Sequence, residues 1–268
     1  MRKRIALIVV MACIAPVLRA QISSAIEFSL GGGWSTLGYK AQVPSQPDVY
    51  GSNNGSWGLQ AHVGYALFFA RYFGLGVGAE VSHIGSIATY GGTARWDDTD
   101  SEGQNYSHLV AIHSLTDKKD VWYLEVPLTF YVLVPLSVDV SLNLEAGAKY
   151  SLPIRSSASY KTSFEHMGEY SPFGLLLYDI PEHGFYDVTD LSDSYTIMAS
   201  YNVSAFLKAG IEYKLSTKTR VFANAYADFG CVNSLQDISS KPIQAGLEVG
   251  IRFVFTHRNA YPCHCVDN

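Results

Sequence analysis

The sequence predicts an all-β fold, an eight-stranded antiparallel up-and-down β-barrel, from three observations. Apolar and polar residues alternate with period two through eight segments of the chain. The connections between these segments are alternately short and long, as in a meander that gathers its long loops at one end. The polar side of the segments carries acidic and basic residues together with many glycines. These features indicate one continuous sheet whose two faces meet different environments.

The first twenty residues have the parts of a secretory signal peptide. Three basic residues within the first four positions precede an apolar stretch over 5–17. This stretch is shorter than the ~20 residues of a transmembrane helix, so we expect residues 1–20 to be cleaved on export. The alternative is a lipoprotein signal, in which Cys13 is acylated.

The charge balance excludes one class of partner. Removal of residues 1–20 takes four of the 19 basic residues and no acidic residue, which leaves 15 basic against 24 acidic residues. A nucleic-acid partner requires a basic surface, so we expect none. The chain is 48% hydrophobic and only 16% charged. An exported chain of this composition either has a large core or faces lipid.

In the first four predicted strands, the alternation of apolar and polar residues becomes more regular along the chain. Alternation is weak at about 25–39, 57–69 and 74–89. From Trp122 to Val134 it is regular, with leucine, valine and phenylalanine on one face and Glu125 on the other. Side chains on successive strand residues point to opposite faces, so each segment has an apolar and a polar side.

The last four strands repeat the pattern. The segment from Val138 to Ser151 is the most regular, and it is followed by strands over 199–215, 219–230 and 243–255. The polar faces of three of these strands carry the residues of a predicted lumen charge network: Glu145, Lys149, Lys208, Glu212, Glu248 and Arg252. Charges buried in a barrel survive only when they are paired. The network is interpreted as a structural plug, with a gate or a narrow pore as the functional alternative.

The connections favour a barrel that crosses a membrane. Short ones lie near 70–73, 135–137 and 216–219, and long external loops are predicted at about 41–56, 91–119, 153–195 and 232–241. Each strand reaches the 9 to 11 residues that a tilted strand needs to span hydrocarbon. Aromatic residues gather at both ends of the apolar face, as at two membrane interfaces. A soluble barrel with an apolar interior is the alternative.

Three stretches carry a resemblance to a known group. They are YFGLGVGAEV from Tyr72, YLEVPLTFYV from Tyr123 and LEVGIRFVF from Leu247. With them the chain resembles the small outer-membrane β-barrel proteins of Bacteroidota, the PorT-like and OmpA-like barrel group. The resemblance implies a multi-pass barrel over 21–256 in the bacterial outer membrane, in contact with outer-membrane lipid and lipopolysaccharide. It also implies a terminal-strand signal for the barrel assembly machinery, formed by Glu248, Gly250, Phe253 and Phe255.

The chain also departs from that group. OmpA has a folded peptidoglycan-binding domain after its barrel, whereas only residues 257–268 follow this one. We therefore expect a short periplasmic tail. It contains Cys263, His264 and Cys265, which are too few ligands for a predicted metal site. Cys231 is expected at the external rim. A disulfide between Cys231 and the periplasmic tail is therefore excluded, because it would have to cross the membrane.

The third external loop holds two acid and histidine pairs. Glu165 precedes His166, Glu182 precedes His183, and Asp187 follows. Neither pair lies in a zinc-binding helix motif, so a solvated loop is expected. The apolar run over 173–178 is expected to fold over the barrel mouth or to offer a surface to a partner.

The sequence predicts a non-enzymatic barrel that presents external loops in a structural, adhesive or recognition role. No catalytic residue, cofactor or metal ligand is predicted, and a protein partner is expected at the loops. One alternative is an accessory component of a secretion or transport complex. Another is a small lipid-modifying enzyme, although the His-x-Ser-Asn motif of lipid A deacylases is not found.

Overall fold

A computed structural model describes residues 23–42, 45–69, 72–100, 102–236 and 238–256. The predicted signal peptide with Cys13, and the tail with Cys263, His264 and Cys265, lie outside these residues. The described part contains eleven strands and two short 3₁₀ turns. The strands are β1 (Ser23–Thr36), β2 (Val49–Asn53), β3 (Ser56–Phe68), β4 (Phe73–Thr99), β5 (Asn105–Pro135), β6 (Val140–Tyr170), β7 (Leu175–Leu177), β8 (Asp187–Tyr195), β9 (Asn202–Lys214), β10 (Thr219–Gly230) and β11 (Ile243–Thr256).

Eight of these strands close into a ring. β1, β3, β4, β5, β6, β9, β10 and β11 pair with their neighbours in chain order, always antiparallel. The ring closes because β1 pairs with β11 along its whole length, from Ser23 opposite Thr256 to Thr36 opposite Ile243. The predicted eight-stranded antiparallel barrel is confirmed. Both chain ends of the barrel and its short turns lie at one end, called here the inner end, and the long connections lie at the outer end.

Alternation decides which side chains face out. On β5, Leu128 is 61% exposed, whereas its neighbour Thr129 is buried. The inner face is crowded, and glycines make room there for large rings. A Cβ atom at Gly250 would lie 2.3 Å from the ring of Phe222 on the adjacent strand. The barrel is therefore filled by side chains, as expected for eight strands.

The outer surface of the ring is apolar around the whole barrel. Exposed leucine, valine, isoleucine and phenylalanine side chains occur on every strand of the ring. Trp34, Trp57, Tyr150 and Tyr201 are exposed toward the outer end, and Phe73, Tyr213, Phe253 and Phe255 toward the inner end. An apolar band between two aromatic belts is the surface of a barrel that faces lipid. No helix among the described residues is long and apolar enough to cross a membrane.

Three strands continue far beyond the ring at the outer end. β4 has 27 residues, and β5 and β6 have 31 each. β2 pairs with β4, and β7 and β8 pair with β6, so the extensions form a sheet that we call the projecting sheet. The two long loops predicted over 91–119 and 153–195 are thus largely strand. Both faces of these extensions are partly exposed, so the period-two signal on which the prediction depended is weak there.

The other two long connections fold over the barrel mouth. Leu37 and Tyr39, which follow β1, pack with Leu235 from the last connection. Their partners include Ile84 of β4 and Tyr123 of β5, and all of these side chains are buried. This apolar group forms a lid above the polar interior. The apolar run over 173–178, by contrast, lies beside Gly168–Tyr170 at the tip of the projecting sheet, and its side chains are largely exposed.

The lipid-facing surface leads to a prediction that distinguishes it from a soluble one. Replacing Leu128 with arginine at mid-height of the barrel should cost about 2–4 kcal/mol of unfolding free energy, because the charge enters hydrocarbon. The matched control is Leu191→Arg on β8, where the leucine is 42% exposed on the projecting sheet and the cost should stay within about 0.5 kcal/mol. Urea unfolding in lipid vesicles measures both. Equal small effects would show that the barrel surface is in water.

Candidate functional site

The interior of the barrel holds a set of ionisable side chains contributed by seven strands. Every member comes from an inward position of the alternation, and every member is buried. They are Glu27, Glu80, Glu125, Glu145, Lys149, Lys208, Glu212, Asp228, Glu248 and Arg252. Eight of these ten groups form two clusters, one toward each end of the barrel, and Lys208 and Glu248 form a separate ion pair.

The inner cluster is built around Arg252 of β11. Its guanidinium is fully buried and contacts three carboxylates. The Nη2 atom lies 3.0 Å from Glu27 Oε2 and 3.3 Å from Glu145 Oε1, and Nη1 pairs with Glu212 Oε2. Tyr131 donates its hydroxyl to the other oxygen of Glu27. One planar cation therefore joins β1, β6, β9 and β11 across the lumen.

Aromatic rings surround the Arg252 guanidinium. The centroids of Phe68, Tyr131 and Phe222 lie 5.7, 5.1 and 5.2 Å from its Cζ atom. These rings belong to three further strands of the barrel, so the cation is also held by cation–π contacts. Water is excluded from its surroundings, and loss of any carboxylate partner leaves charge in a site that cannot solvate it.

The outer cluster is built around Lys149 of β6. Its Nζ atom lies 2.6 Å from Glu80 Oε1, 2.7 Å from Asp228 Oδ2 and 3.6 Å from Glu125 Oε2. Glu80 and Glu125 are direct cross-strand neighbours on β4 and β5. Like charges at such positions repel each other. The ammonium of Lys149 lies within 4 Å of both carboxylates and offsets this repulsion.

A third group of polar contacts lies in the middle of the lumen, between the two clusters. Lys208 Nζ lies 2.5 Å from Glu248 Oε2, which also accepts a hydrogen bond of 2.8 Å from Gln60 Nε2. Asn143 donates to Glu145 Oε1 at 2.7 Å. The hydrogen bonds and ion pairs thus extend from the inner cluster toward the mouth. This arrangement fills the lumen and cross-links the ring.

The structure brings all six residues of the predicted lumen charge network inside the barrel. It divides them between Arg252 with Glu145 and Glu212, Lys208 with Glu248, and Lys149. Four carboxylates of the polar face were not assigned to the network: Glu27, Glu80, Glu125 and Asp228. Their inward positions were readable from alternation. Their partners were not, because partnership depends on the stagger between strands.

The residues of the predicted assembly signal lie on the last strand of the barrel. Phe253 and Phe255 are exposed at the inner aromatic belt, while Glu248 points inward to Lys208. Gly250 packs against Phe222. A role in recognition by the assembly machinery stays a prediction.

The two acid and histidine pairs of the third connection lie in different surroundings, one on a strand and one in a turn. Glu165 and His166 are consecutive on β6 and point to opposite faces of the projecting sheet. Glu165 lies 3.8 Å from His113, and His166 contacts His108 instead. Glu182 and His183 are exposed in a 3₁₀ turn. Among the described residues, no group of three or more histidine, cysteine or acidic side chains has an arrangement that holds a metal ion.

No family model and no curated protein matches the chain. Solved structures give low similarities. The N-terminal β-barrel domain of Pseudomonas aeruginosa OprF is 11% identical with a TM-score of 0.34, and the match covers 87% of this chain and 97% of that one. The outer membrane protein OprG from Pseudomonas aeruginosa is 10% identical with a TM-score of 0.38, and the match covers 89% of this chain and 97% of that one. Ail, the attachment invasion locus protein of Yersinia pestis, is 12% identical with a TM-score of 0.30, and the match covers 88% of this chain and 99% of that one. These TM-scores are too low to support a common fold. The assignment of a barrel is based on the strand pairing of this chain.

Proposed function

We propose that this protein is a non-enzymatic barrel of the bacterial outer membrane that carries a rigid recognition sheet on the cell exterior. The projecting sheet is the observation that supports the proposal. β6 continues from Leu152 to Tyr170 beyond its last pair with β9, a distance of roughly 60 Å of extended chain. β4 and β5 accompany it with backbone pairing along almost the whole length, interrupted by register shifts at Tyr90/Gly92 and at Ile112/Ser114. A surface held this firmly can bind a partner with little ordering cost.

The closed interior supports a role as an anchor. The two charge clusters cross-link the strands, and the apolar lid formed by Leu37, Tyr39 and Leu235 lies over the mouth. A lumen filled in this way leaves no wide aqueous path. The alternative of a narrow pore therefore requires the ion pairs of the network to separate. The anchoring role requires no such change.

Trimming the projecting sheet tests the proposal. The register aligns Gly92, Ile112, Phe164 and Val188 across four strands. Residues 93–111 and 165–187 are each replaced by Asn-Gly, a two-residue turn that joins antiparallel strands. We expect the trimmed barrel to fold and to remain in the outer membrane, and to lose at least about tenfold in partner binding. Quantitative co-purification from native membranes, compared with the full chain, is the measurement.

The outcomes separate the competing functions. Recovery of the same partners by the trimmed and the full chain would mean that the barrel wall recruits them, as an accessory component of a secretion or transport complex does. Recovery of no partner by either chain would contradict a protein-recognition role. Loss of acyl chains from lipid A during incubation with the full chain, detected by mass spectrometry, would instead support a lipid-modifying enzyme.

A further inference from the structure

A pair of histidines in direct contact lies on one face of the projecting sheet. His108 of β5 and His166 of β6 are diagonal neighbours, and His108 Nε2 lies 2.9 Å from His166 Nδ1. The ring of Trp96 on β4 stacks on His108 with a centroid separation of 4.7 Å. A hydrogen bond between two ring nitrogens requires that one carries a proton and the other does not. The contact therefore depends on the protonation state of the pair.

The histidine pair lies under a loop that we call the strap, residues 178–186, between β7 and β8. Phe185 is 2% exposed, and every other strap residue is exposed or half-buried. The ring of Phe185 contacts the rings of Tyr106 and His108 at 5.8 and 5.9 Å. Gly168 makes the room, because a Cβ atom there would lie 2.3 Å from the Phe185 ring. Phe185 is thus the one buried side chain of the strap, and it provides the first of two attachments to the sheet.

The second attachment also involves a histidine. The backbone N–H of His166 donates to the carbonyl of Tyr186 at 2.9 Å, and the two rings lie 5.0 Å apart. Both points at which the strap meets the sheet therefore contact one member of the histidine pair. Any separation of the His108 and His166 rings displaces the surfaces on which Phe185 and Tyr186 rest.

Few charged groups face the pair. From β4, Asp98 accepts a 3.3 Å hydrogen bond from Tyr106, whose hydroxyl lies 3.5 Å from His108 Nδ1. From β6, Tyr170 donates to Asp100 at 3.0 Å. The remaining contacts on the ring faces are aromatic: Trp96, Phe164, Phe185 and Tyr186. Glu165 and His113 pair on the opposite face of the sheet. Asp98 is the carboxylate whose charge acts on His108, and the aromatic surroundings solvate a second positive charge poorly.

The direction of the pH effect follows from this environment. Burial lowers the pKa of His108, and Asp98 opposes this shift. Burial and then the neighbouring His108 lower the pKa of His166. The closed form binds fewer protons than an open form in which both rings are in water. Its stability is therefore complete above the ordinary histidine pKa of about 6.5 and declines as the pH falls below it.

We propose that the His108–His166 pair is an acid-sensitive latch that holds the strap against the projecting sheet at neutral pH and releases it in acid. A first proton can be shared across the contact. A second proton makes both facing nitrogens donors, so the rings separate and Phe185 loses its contact with the ring of His108. The latch goes beyond the proposed recognition role and does not depend on what the sheet binds.

A spin label on the strap tests the latch. Tyr178, an exposed strap residue, is replaced by cysteine in a full-length chain whose native cysteines are serine, and the label is attached to the protein in lipid vesicles. The electron paramagnetic resonance spectrum is recorded at about pH 7.5 and about pH 4.5, on either side of the ordinary histidine pKa. We expect a spectrum dominated by the immobile component at neutral pH and loss of most of that component in acid. An unchanged spectrum would overturn the proposal.

Matched variants assign the response to the pair. His108→Phe and His166→Phe keep an aromatic ring but remove the titration, so each should abolish the acid response. His113→Phe alters a histidine on the opposite face of β5 and should leave the response intact. Phe185→Ala should give a mobile label at both pH values, which shows that the label reports the strap. If acid mobilises the label equally in the His108 and His166 variants, or if His113→Phe abolishes the response, the latch is wrong. If either phenylalanine variant fails to fold, His108→Gln or His166→Gln replaces it.

Discussion

Replacing Arg252 with alanine is expected to lower the free energy of unfolding by about 3–5 kcal/mol, the range expected when one partner of a buried ion pair is removed. The guanidinium is fully buried and contacts Glu27, Glu145 and Glu212. Without it, three carboxylates share a site surrounded by aromatic rings. Urea unfolding in lipid vesicles, followed by the heat-dependent mobility of the folded barrel on gels, measures the loss.

The matched control for Arg252→Ala is Arg220→Ala. Arg220 pairs with the same Glu212 at 2.7 Å, but its side chain is partly exposed at the inner end. Its removal should cost no more than about 1 kcal/mol. A rescue variant combines Arg252→Met with glutamine at positions 27, 145 and 212. It should recover most of the stability because no buried charge of the inner cluster is left unpaired, and Arg220, which loses Glu212, is partly exposed to solvent. Equal losses for Arg252→Ala and Arg220→Ala would show that the inner cluster does not stabilise the barrel.

Replacing Lys149 with methionine is the second large effect. Its ammonium lies between Glu80, Glu125 and Asp228, and the two glutamates oppose each other across neighbouring strands. Removal should again destabilise the barrel by about 3–5 kcal/mol, because three carboxylates repel one another with no cation between them. Urea unfolding in vesicles provides the measurement. Lys118→Met is the control, since Lys118 forms a partly exposed ion pair with Asp120, and should change stability by less than about 1 kcal/mol.

The Lys149 variant also tests the closed lumen. In planar bilayers the unaltered protein should carry no steady current, while the fraction of Lys149→Met that folds should pass cations through a lumen lined by unpaired carboxylates. Two of these carboxylates are neutralised when Glu80→Gln and Asp228→Asn are added to Lys149→Met. This triple variant should regain most of the free energy of unfolding and should carry no steady current. A steady conductance of the unaltered protein that changes in Arg252→Ala would instead support a pore function.

The barrel itself was predictable because its signal is local. Along β6, the alternation through Leu142, Leu144 and Ala146 places one face in lipid, and it puts Glu145 and Lys149 on the other. The spacing of the connections ordered the strands. Where both faces of a strand meet water, as in the upper parts of β5 and β6, alternation no longer carries information, and strands were predicted as loops. The apolar run over 173–178 does not fold over the barrel mouth, because it lies on a sheet tip that the pattern did not reveal. Its other expected role, as a surface for a partner, stays a prediction.

The candidate site was only half predictable. The inward orientation of the six predicted network residues follows from period two. Their division into two clusters and a separate ion pair does not, because partners such as Arg252 and Glu145 are separated by 107 positions along the chain. The same limit applies to His108 and His166, which are 58 positions apart. Their contact depends on the register between β5 and β6, which includes an irregularity between Ile112 and Ser114.

The sequence by itself determined the class of fold, the number of strands in the ring and which side chains face lipid, since each of these depends on neighbours within one strand. Only the tertiary structure decided which charges meet, how far the strands extend and what holds the strap. Those features depend on stagger between strands that are distant in sequence. A shift of one residue in that stagger would reverse the facing of a strand, and a shift of two would keep the facing but change every partner.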